Sequence, residues 1–351
     1  MKEFIIKDTD EGLRLDKQLL KILNKAGSGF IYKMLRKKNI TLNGKKALGS
    51  EHLKAGDVIR IYLSEDTFEK FSGSGILKSD INARFKDISD WIIFEDDNIM
   101  LINKPAGVLS QKAKDTDFSL NEMCLFHMID NNELNEEKLK LFTPSICNRL
   151  DRNTSGLIIF GKTYSAASVL GEALRLRTIK KYYLCIVKGQ VSTPGLINGY
   201  LIKNETENKV TVKNEFVNGS QKVSLSYKPL KGSLKYTLLE VDLITGKSHQ
   251  IRALMAYKGH PLLADPKYGD KILNKELIKE YGVEQQLLHS FRLVMPKDLQ
   301  GGMKDLKERE FIADTPWYFE PFMKQMNIIY NGEGLCRHGT AGDFGDQRLK
   351  T

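Results

Sequence analysis

Asn148-Arg149-Leu150-Asp151-Arg152-Asn153-Thr154-Ser155-Gly156 is the densest polar cluster inside an apolar context, and it runs directly into Leu157-Ile158-Ile159-Phe160. The first part has turn composition and the second is an apolar run of strand length, so together they read as a loop feeding a buried strand. A polar loop ahead of a strand presents its side chains at a sheet edge or in a cleft. Asp151 stands between two arginines. On spacing alone it is either a nucleophile held ionised or one half of a structural ion pair, and the ion pair is the commoner arrangement.

Outward from that strand, periodicity predicts helices at 119–130, 163–175 and 248–258 and strands at 155–160, 182–188, 209–213, 221–228 and 234–243. Trp91-Ile92-Ile93-Phe94, the turn Glu95-Asp96-Asp97-Asn98 and Ile99-Met100-Leu101-Ile102 read as a β-hairpin. Strands often follow one another with no helix between them, which favours an α+β fold over a regular βαβ one. Two further clusters can carry chemistry. In Thr245-Gly246-Lys247-Ser248-His249-Gln250-Ile251-Arg252, helical spacing puts Ile251, Leu254 and Met255 on a core stripe and His249 and Arg252 on one flanking face. That is either a helix start capped by Ser248 or a basic face aimed into a cleft. In Lys181-Tyr182-Tyr183-Leu184-Cys185-Ile186-Val187-Lys188-Gly189, Tyr183, Cys185 and Val187 alternate to one face of a strand.

The amino-terminal part is different. Of 351 residues, 54 are Lys or Arg and 44 Asp or Glu, a net charge of +10. From Lys17 to Ser50 there is no acid, but there are nine cations: Lys17, Lys21, Lys25, Lys33, Arg36, Lys37, Lys38, Lys45 and Lys46. The rest of the chain is about neutral. A local excess of that size points to a polyanion, nucleic acid by default. Residues 13–63 read as a small module. Its first helix has Leu15, Leu19, Ile22 and Leu23 inward and a stripe of Lys17, Lys21 and Lys25 outward. A second helix at about 28–38 is capped by Ser28. A short strand then ends at Asn43-Gly44, a hairpin-turn signal, and another strand follows at Val58–Leu63. This pattern resembles the S4 RNA-binding domain, through Arg14-Leu15-Asp16, Tyr32–Lys37, Thr41-Leu42-Asn43-Gly44-Lys45 and Leu53–Val58.

Several classes are excluded or unsupported. The cysteines Cys124, Cys147, Cys185 and Cys336 form no CxxC and have no His at ligand spacing, so no zinc site is expected. There is no Gly-rich phosphate loop, no internal repeat and no apolar run of membrane length. Met1–Asp10 lacks the pattern of a signal peptide, and the expected compartment is the cytoplasm. Residues 64–89 read as a linker, 90–328 as the main domain and 329–351 as a mobile tail.

Taken in order, the clusters of the main domain resemble the RluA-type pseudouridine synthases. That family has a lysine-proline-alanine-glycine segment, then His-Arg-Leu-Asp-x-x-Thr-Ser-Gly, Lys-x-Tyr-Leu and Thr-Gly-Arg-x-His-Gln-Ile-Arg. Gly-His-Pro, Asp-Pro-x-Tyr-Gly and Leu-His follow. Here stand Asn103-Lys104-Pro105-Ala106-Gly107, Arg149-Leu150-Asp151 with Thr154-Ser155-Gly156, Lys181-Tyr182-Tyr183-Leu184 and Thr245–Arg252. Gly259-His260-Pro261, Asp265-Pro266-Lys267-Tyr268-Gly269 and Leu288-His289 complete the series. Two positions depart from the pattern. The family's leading His is Asn148, read as a tuning of the loop, and its Thr-Gly-Arg is Thr-Gly-Lys247, which keeps the charge and loses the bidentate fork.

The resemblance implies an α+β architecture: a small S4 domain followed by a catalytic domain with a mixed, largely antiparallel sheet. It implies isomerisation of uridine to pseudouridine without metal or cofactor, with Asp151 as the catalytic carboxylate, Arg252 as its partner and Tyr183 as the stacking aromatic. Arg149, Arg152, Lys247 and His249 are implied as RNA or loop contacts, with Lys33, Arg36, Lys37 and Lys45 as the RNA-holding face of the module. The module in front matches the large-subunit ribosomal RNA branch of the family, so that RNA is the expected partner of a monomer with no membrane attachment. A transfer RNA or dual substrate, or an inactive RNA-binding assembly protein, are the alternatives.

Overall fold

Leu15, Leu19, Ile22 and Leu23, spaced for one helical face, are all buried in a core shared with Ile31, Leu35, Ile40, Ile59 and Ile61. The structure, a computed structural model, describes residues 1–7, 11–72, 87–114, 116–204, 209–326, 329–330 and 335–336. Helices α1 (Leu15–Ile22) and α2 (Ser28–Arg36) lie with strands β1 (Lys2–Ile5), β2 (Ile40–Leu42), β3 (Lys45–Lys46) and β4 (Val58–Ile61). The sheet order is β1-β4-β2-β3. Asn43 and Gly44 both have positive φ, 52° and 72°, as the tight turn between β2 and β3 requires.

Four details differ from the sequence expectation. Helix α1 stops at Ile22, so Lys25 lies beyond it. Lys21 is half-buried over the rings of Phe142 and Tyr164, at 5.3 and 5.6 Å, and is no part of an outward stripe. Ser28 is the first residue of α2 and caps nothing; Gly27 holds the cap position. The expected linker begins with a helix, α3 (Glu65–Phe71), because Ser64 Oγ accepts from Thr67 N and Phe68 has an apolar core to enter. Phe71 packs on Phe30 with ring centroids 4.2 Å apart. Linker residues 73–86 lie outside the described residues, as does most of 329–351, where only a short pair, 329–330 with 335–336, is described.

Two compact units divide the chain: Met1–Lys180 with Leu293–Phe311, and Lys181–Arg292 with the segment from Ile312 on. In the first, β5 (Ile92–Glu95) and β6 (Ile99–Lys104) form the expected hairpin, and β6 also pairs antiparallel with β8 (Ser155–Gly161). The short β7 (Ser145–Ile146) lies along the end of β8. Every residue of β8 is buried, as its unbroken apolar run requires. Helices α4 (Leu120–Asp130), α5 (Glu136–Leu141) and α6 (Tyr164–Arg175) complete this unit. The cap of α4 is reciprocal between Ser119 and Glu122.

In the second unit, β9 (Lys180–Lys188), β10 (Gly195–Asn204), β11 (Lys209–Lys213), β12 (Gln221–Gly232) and β13 (Tyr236–Asp242) run in the order β11-β10-β12-β13-β9, every pairing antiparallel. Helices α7 (Gln250–Tyr257), α8 (Lys271–Tyr281) and α9 (Glu320–Gln325) and strand β14 (Leu288–Val294) follow. Strand β10 was not expected. Gly195 and Gly199 dilute its apolar pattern, and Gly195 leaves the room that the Tyr227 ring takes, its Oη 2.4 Å from where a Cβ would stand.

Candidate active site

Asp151 lies in the loop between β7 and β8, half-buried, with its carbonyl oxygen accepting from Thr154 N at 3.0 Å. Little of that loop is held by strand pairing, and side chains do the holding. Ser110 Oγ donates to Leu150 O at 2.8 Å and accepts from Leu150 N at 3.1 Å. Arg152 Nε donates to Gly107 O while Gly107 N donates to Arg152 O. Lys104 is fully buried and its Nζ donates to three carbonyls, Pro105 O and Val108 O at 2.9 Å and Arg152 O at 3.0 Å. Burial pulls its ammonium down to about 7, and the charge of Asp151 opposes that shift.

At the other end of the loop Cys147 N donates to Ile159 O. The buried Asn148 continues that ladder with its side chain: Oδ1 accepts from Ile159 N at 2.8 Å and Nδ2 donates to Leu157 O at 3.3 Å. A carboxamide carries the donor and acceptor of a peptide group, so Asn148 acts as one more rung on β8. Arg149 and Arg152 are both exposed. Arg152 braces the loop through Gly107, and Arg149 projects into solvent.

In the second unit, Tyr183 is buried on β9 and pairs with Val241 of β13. His249 stands at the start of α7 with φ 56°, a left-handed conformation, and takes the boundary position expected of Ser248. Behind it the turn is stitched to β12. Thr245 Oγ1 accepts from Ser224 N, and Gln250 Nε2 donates to Ser224 O at 3.0 Å. Gln250 Oε1 also accepts from Lys247 N, which leaves the Lys247 side chain exposed on the turn.

Arg252 follows one turn into α7 and is buried. Its Nε donates to Asp265 Oδ2 at 2.7 Å and its Nη2 to Asp265 Oδ1 at 2.9 Å, a bidentate pair. Burial pushes the Asp265 carboxyl up. The bonds from Arg252 and from the backbone N–H groups of Tyr268 and Lys267 more than offset this and hold it below the usual carboxylate range. Arg252 Cζ lies 5.3 Å from the centroid of the Tyr268 ring. Tyr268 Oη accepts from Val210 N at 2.8 Å and lies 2.9 Å from His249 Nδ1. So His249 and Arg252 do share a face, and Tyr268 is what they meet there.

Two more motif histidines brace the fold. His260 Nδ1 lies 3.0 Å from Lys188 O at the end of β9. His289 is fully buried, and burial lowers its pKa to about 4, so it is neutral with Nε2 3.3 Å from Ala313 O. The thiols of Cys124, Cys147 and Cys185 offer no nucleophile: burial pushes Cys147 up to about 12 and raises Cys124 and Cys185 further. Among the described residues no three His, Cys, Asp or Glu side chains gather as a metal site would need. No helix among them is long and apolar enough to cross a membrane. Lys33, Arg36, Lys37 and Lys45 are all exposed on the amino-terminal module.

Sequence reasoning did not mark Lys104, Asp265 or Tyr268 as site residues, although each stands in a quoted motif. The usable signal was an ionisable residue beside proline and glycine in an otherwise apolar neighbourhood.

The sequence profile of the RNA pseudouridylate synthase family matches residues 98–257. The chain is 31% identical to ribosomal large subunit pseudouridine synthase C of Haemophilus influenzae, covering 84% of this chain and 86% of that one. It is 30% identical to the protein of the same name from Vibrio vulnificus, over 81% of this chain and 86% of that one. Among solved structures, human RNA pseudouridylate synthase domain containing 4 superposes with a TM-score of 0.54 at 21% identity, over 68% of this chain and 94% of that one. At that identity the likeness is one of fold.

Proposed function

The chain belongs to the RNA pseudouridylate synthase family, and from that membership we propose that it isomerises specific uridines of large-subunit ribosomal RNA to pseudouridine. It is an enzyme, and its reaction is an isomerisation of uridine in RNA. The observation that carries the choice of ribosomal RNA is the 31% identity, across 84% of the chain, to a ribosomal large-subunit synthase.

In the reaction the bond from ribose C1′ to uracil N1 breaks, the base turns, and a bond from C1′ to C5 forms. The hydrogen on C5 leaves to water and N1 takes up a proton, so atoms balance without an outside reactant. In this reading Asp151 supplies the carboxylate that enables the break, by attack on C1′ or the base or by removing a sugar proton. A carboxylate does any of these only when ionised. Arg252 is assigned to the catalytic set with it, as a guanidinium that the family motifs supply. The target base must leave its stack, and Tyr183 offers an aromatic face worth ~1–3 kcal/mol per stacked base. Arg149, Arg152, Lys247 and His249 hold phosphates or the loop, contacts that position without reading sequence. The exposed cations Lys33, Arg36, Lys37 and Lys45 make residues 13–63, with β1 and α3 packed on them, an S4-like RNA holder, joined by the segment after Phe71 to a catalytic domain over 90–328.

RNA tritiated at uracil C5 tests both the activity and the residue. The protein should release tritium from large-subunit RNA, and Asp151→Asn should abolish release while binding the same RNA with nearly unchanged affinity. A variant with normal turnover would remove Asp151 from the mechanism.

A further inference from the structure

We propose that Asp265 is a positioning residue for the isomerisation, setting the plane and direction of the Arg252 guanidinium. The proposal rests on the reading above, in which Arg252 is a catalytic residue.

Three observations support it. Asp265 is held on every side. Its carboxylate accepts four N–H bonds, two from Arg252 and one each from Lys267 N and Tyr268 N at 2.8 and 3.0 Å. Its own carbonyl accepts from Asn274 Nδ2 at 2.8 Å and Gly269 N at 3.0 Å. Gly269 is glycine by necessity, since a Cβ there would lie 2.4 Å from Asp265 O. Asp265 is therefore a fixed reference point.

Next, Arg252 is fixed about two axes. The bidentate contact through Nε and Nη2 sets the guanidinium plane and turns its Nη1 side away from Asp265. The Tyr268 ring lies 5.3 Å from Cζ, and that ring is held by Val210 N and His249 Nδ1. This gives His249 a task inside the site, as a brace on the aromatic ring beside Arg252.

Finally, both charges are buried, with side chains 5% and 0% exposed. A buried ion pair gains little stability over apolar side chains of equal volume. What such a pair supplies is a guanidinium that cannot reorient, and a lysine at 252 could not take up that bidentate geometry.

The test uses the whole protein and the tritium assay. Asp265→Asn should lower kcat per folded enzyme by about 100-fold, the scale of an ångström misplacement, with KM for RNA changed by less than about threefold. Asp265→Glu keeps the charge and should fold even where Asn does not, with kcat lowered by about tenfold. If Asp265 acts through Arg252, adding Asp265→Asn to Arg252→Lys should cost no further turnover. Turnover in folded Asp265→Asn or Asp265→Glu within about threefold of the parent protein, or losses that multiply in the double variant, would overturn the proposal. The Arg252 Nε–H resonance in a ¹⁵N-arginine spectrum gives a readout independent of activity. It should exchange slowly in the parent protein and fast in Asp265→Asn, and fast exchange in the parent protein would also overturn the proposal. A parent protein that released no tritium from any RNA would instead overturn the functional reading, leaving this spectrum as the test of the holder.

Discussion

Lys104 Nζ lies 3.0 Å from the carbonyl oxygen of Arg152, so a buried ammonium ties the lysine-proline turn to the residue next to Asp151. The same nitrogen serves Pro105 O and Val108 O. Lys104→Met would fill the space and leave Pro105 O and Val108 O without this donor, while Arg152 O would keep Gly107 N. Unmet buried acceptors outweigh the relief of removing a buried charge, and the variant should lose about 2 kcal/mol in chemical denaturation and show faster amide exchange in the 149–154 loop. Unchanged stability and exchange would show that the loop holds itself.

Tyr183 is buried on β9, opposite Val241 of β13. Tyr183→Phe keeps the ring, so RNA affinity should stay within about twofold, while loss of a proton-transfer group lowers kcat by about 100-fold. Tyr183→Leu should raise KM as well, since the stacking face goes. Steady-state kinetics on one RNA substrate separate the two effects, and full turnover by the Phe variant would leave Tyr183 a stacking residue alone.

The cations Lys33, Arg36 and Lys37 are exposed together on α2 and the turn after it. Neutralising all three should weaken RNA binding and reduce the salt slope of log K by about 2–3 units, near 0.9 for each phosphate the protein no longer neutralises. Turnover at saturating RNA should not change. Collapse of that turnover would mean the module takes part in the chemistry.

His289 titrates near 4 in the fold against 6.5 unperturbed, because burial disfavours the imidazolium. Between those two values the unfolded chain binds a proton that the folded chain refuses. Stability from the neutral ring is therefore complete above pH 6.5 and drains away as pH falls toward 4, by about 3 kcal/mol in all. Urea denaturation across that range should show the slope in the parent protein and a flatter one in His289→Gln. Equal slopes would place the acid sensitivity elsewhere.

Much of this was legible in the residue order. Helix α6 follows from a run long enough for one period to dominate, and the hairpin of β5 and β6 from two apolar runs about an acidic turn. What could not be read was tertiary. Nothing local says that Phe68 will find the core of the amino-terminal module and turn part of a linker into a helix. Nothing local says that Lys21 will lie against Phe142 and Tyr164 and not in solvent. The motif around Arg252 marked it as important, but its carboxylate neighbour Asp265 stands 13 positions away, across a turn whose path only folding defines.

Asn148 has one more consequence. The family resemblance puts a histidine at this position. A neutral imidazole also offers one donor and one acceptor, but on taking up a proton it becomes two donors and could no longer receive Ile159 N. A carboxamide has no such second state. With asparagine in that rung, the β8 anchor of the loop that carries Asp151 is blind to protons. Acid cannot take this one rung away, whatever it does to the buried imidazole of His289 elsewhere in the fold.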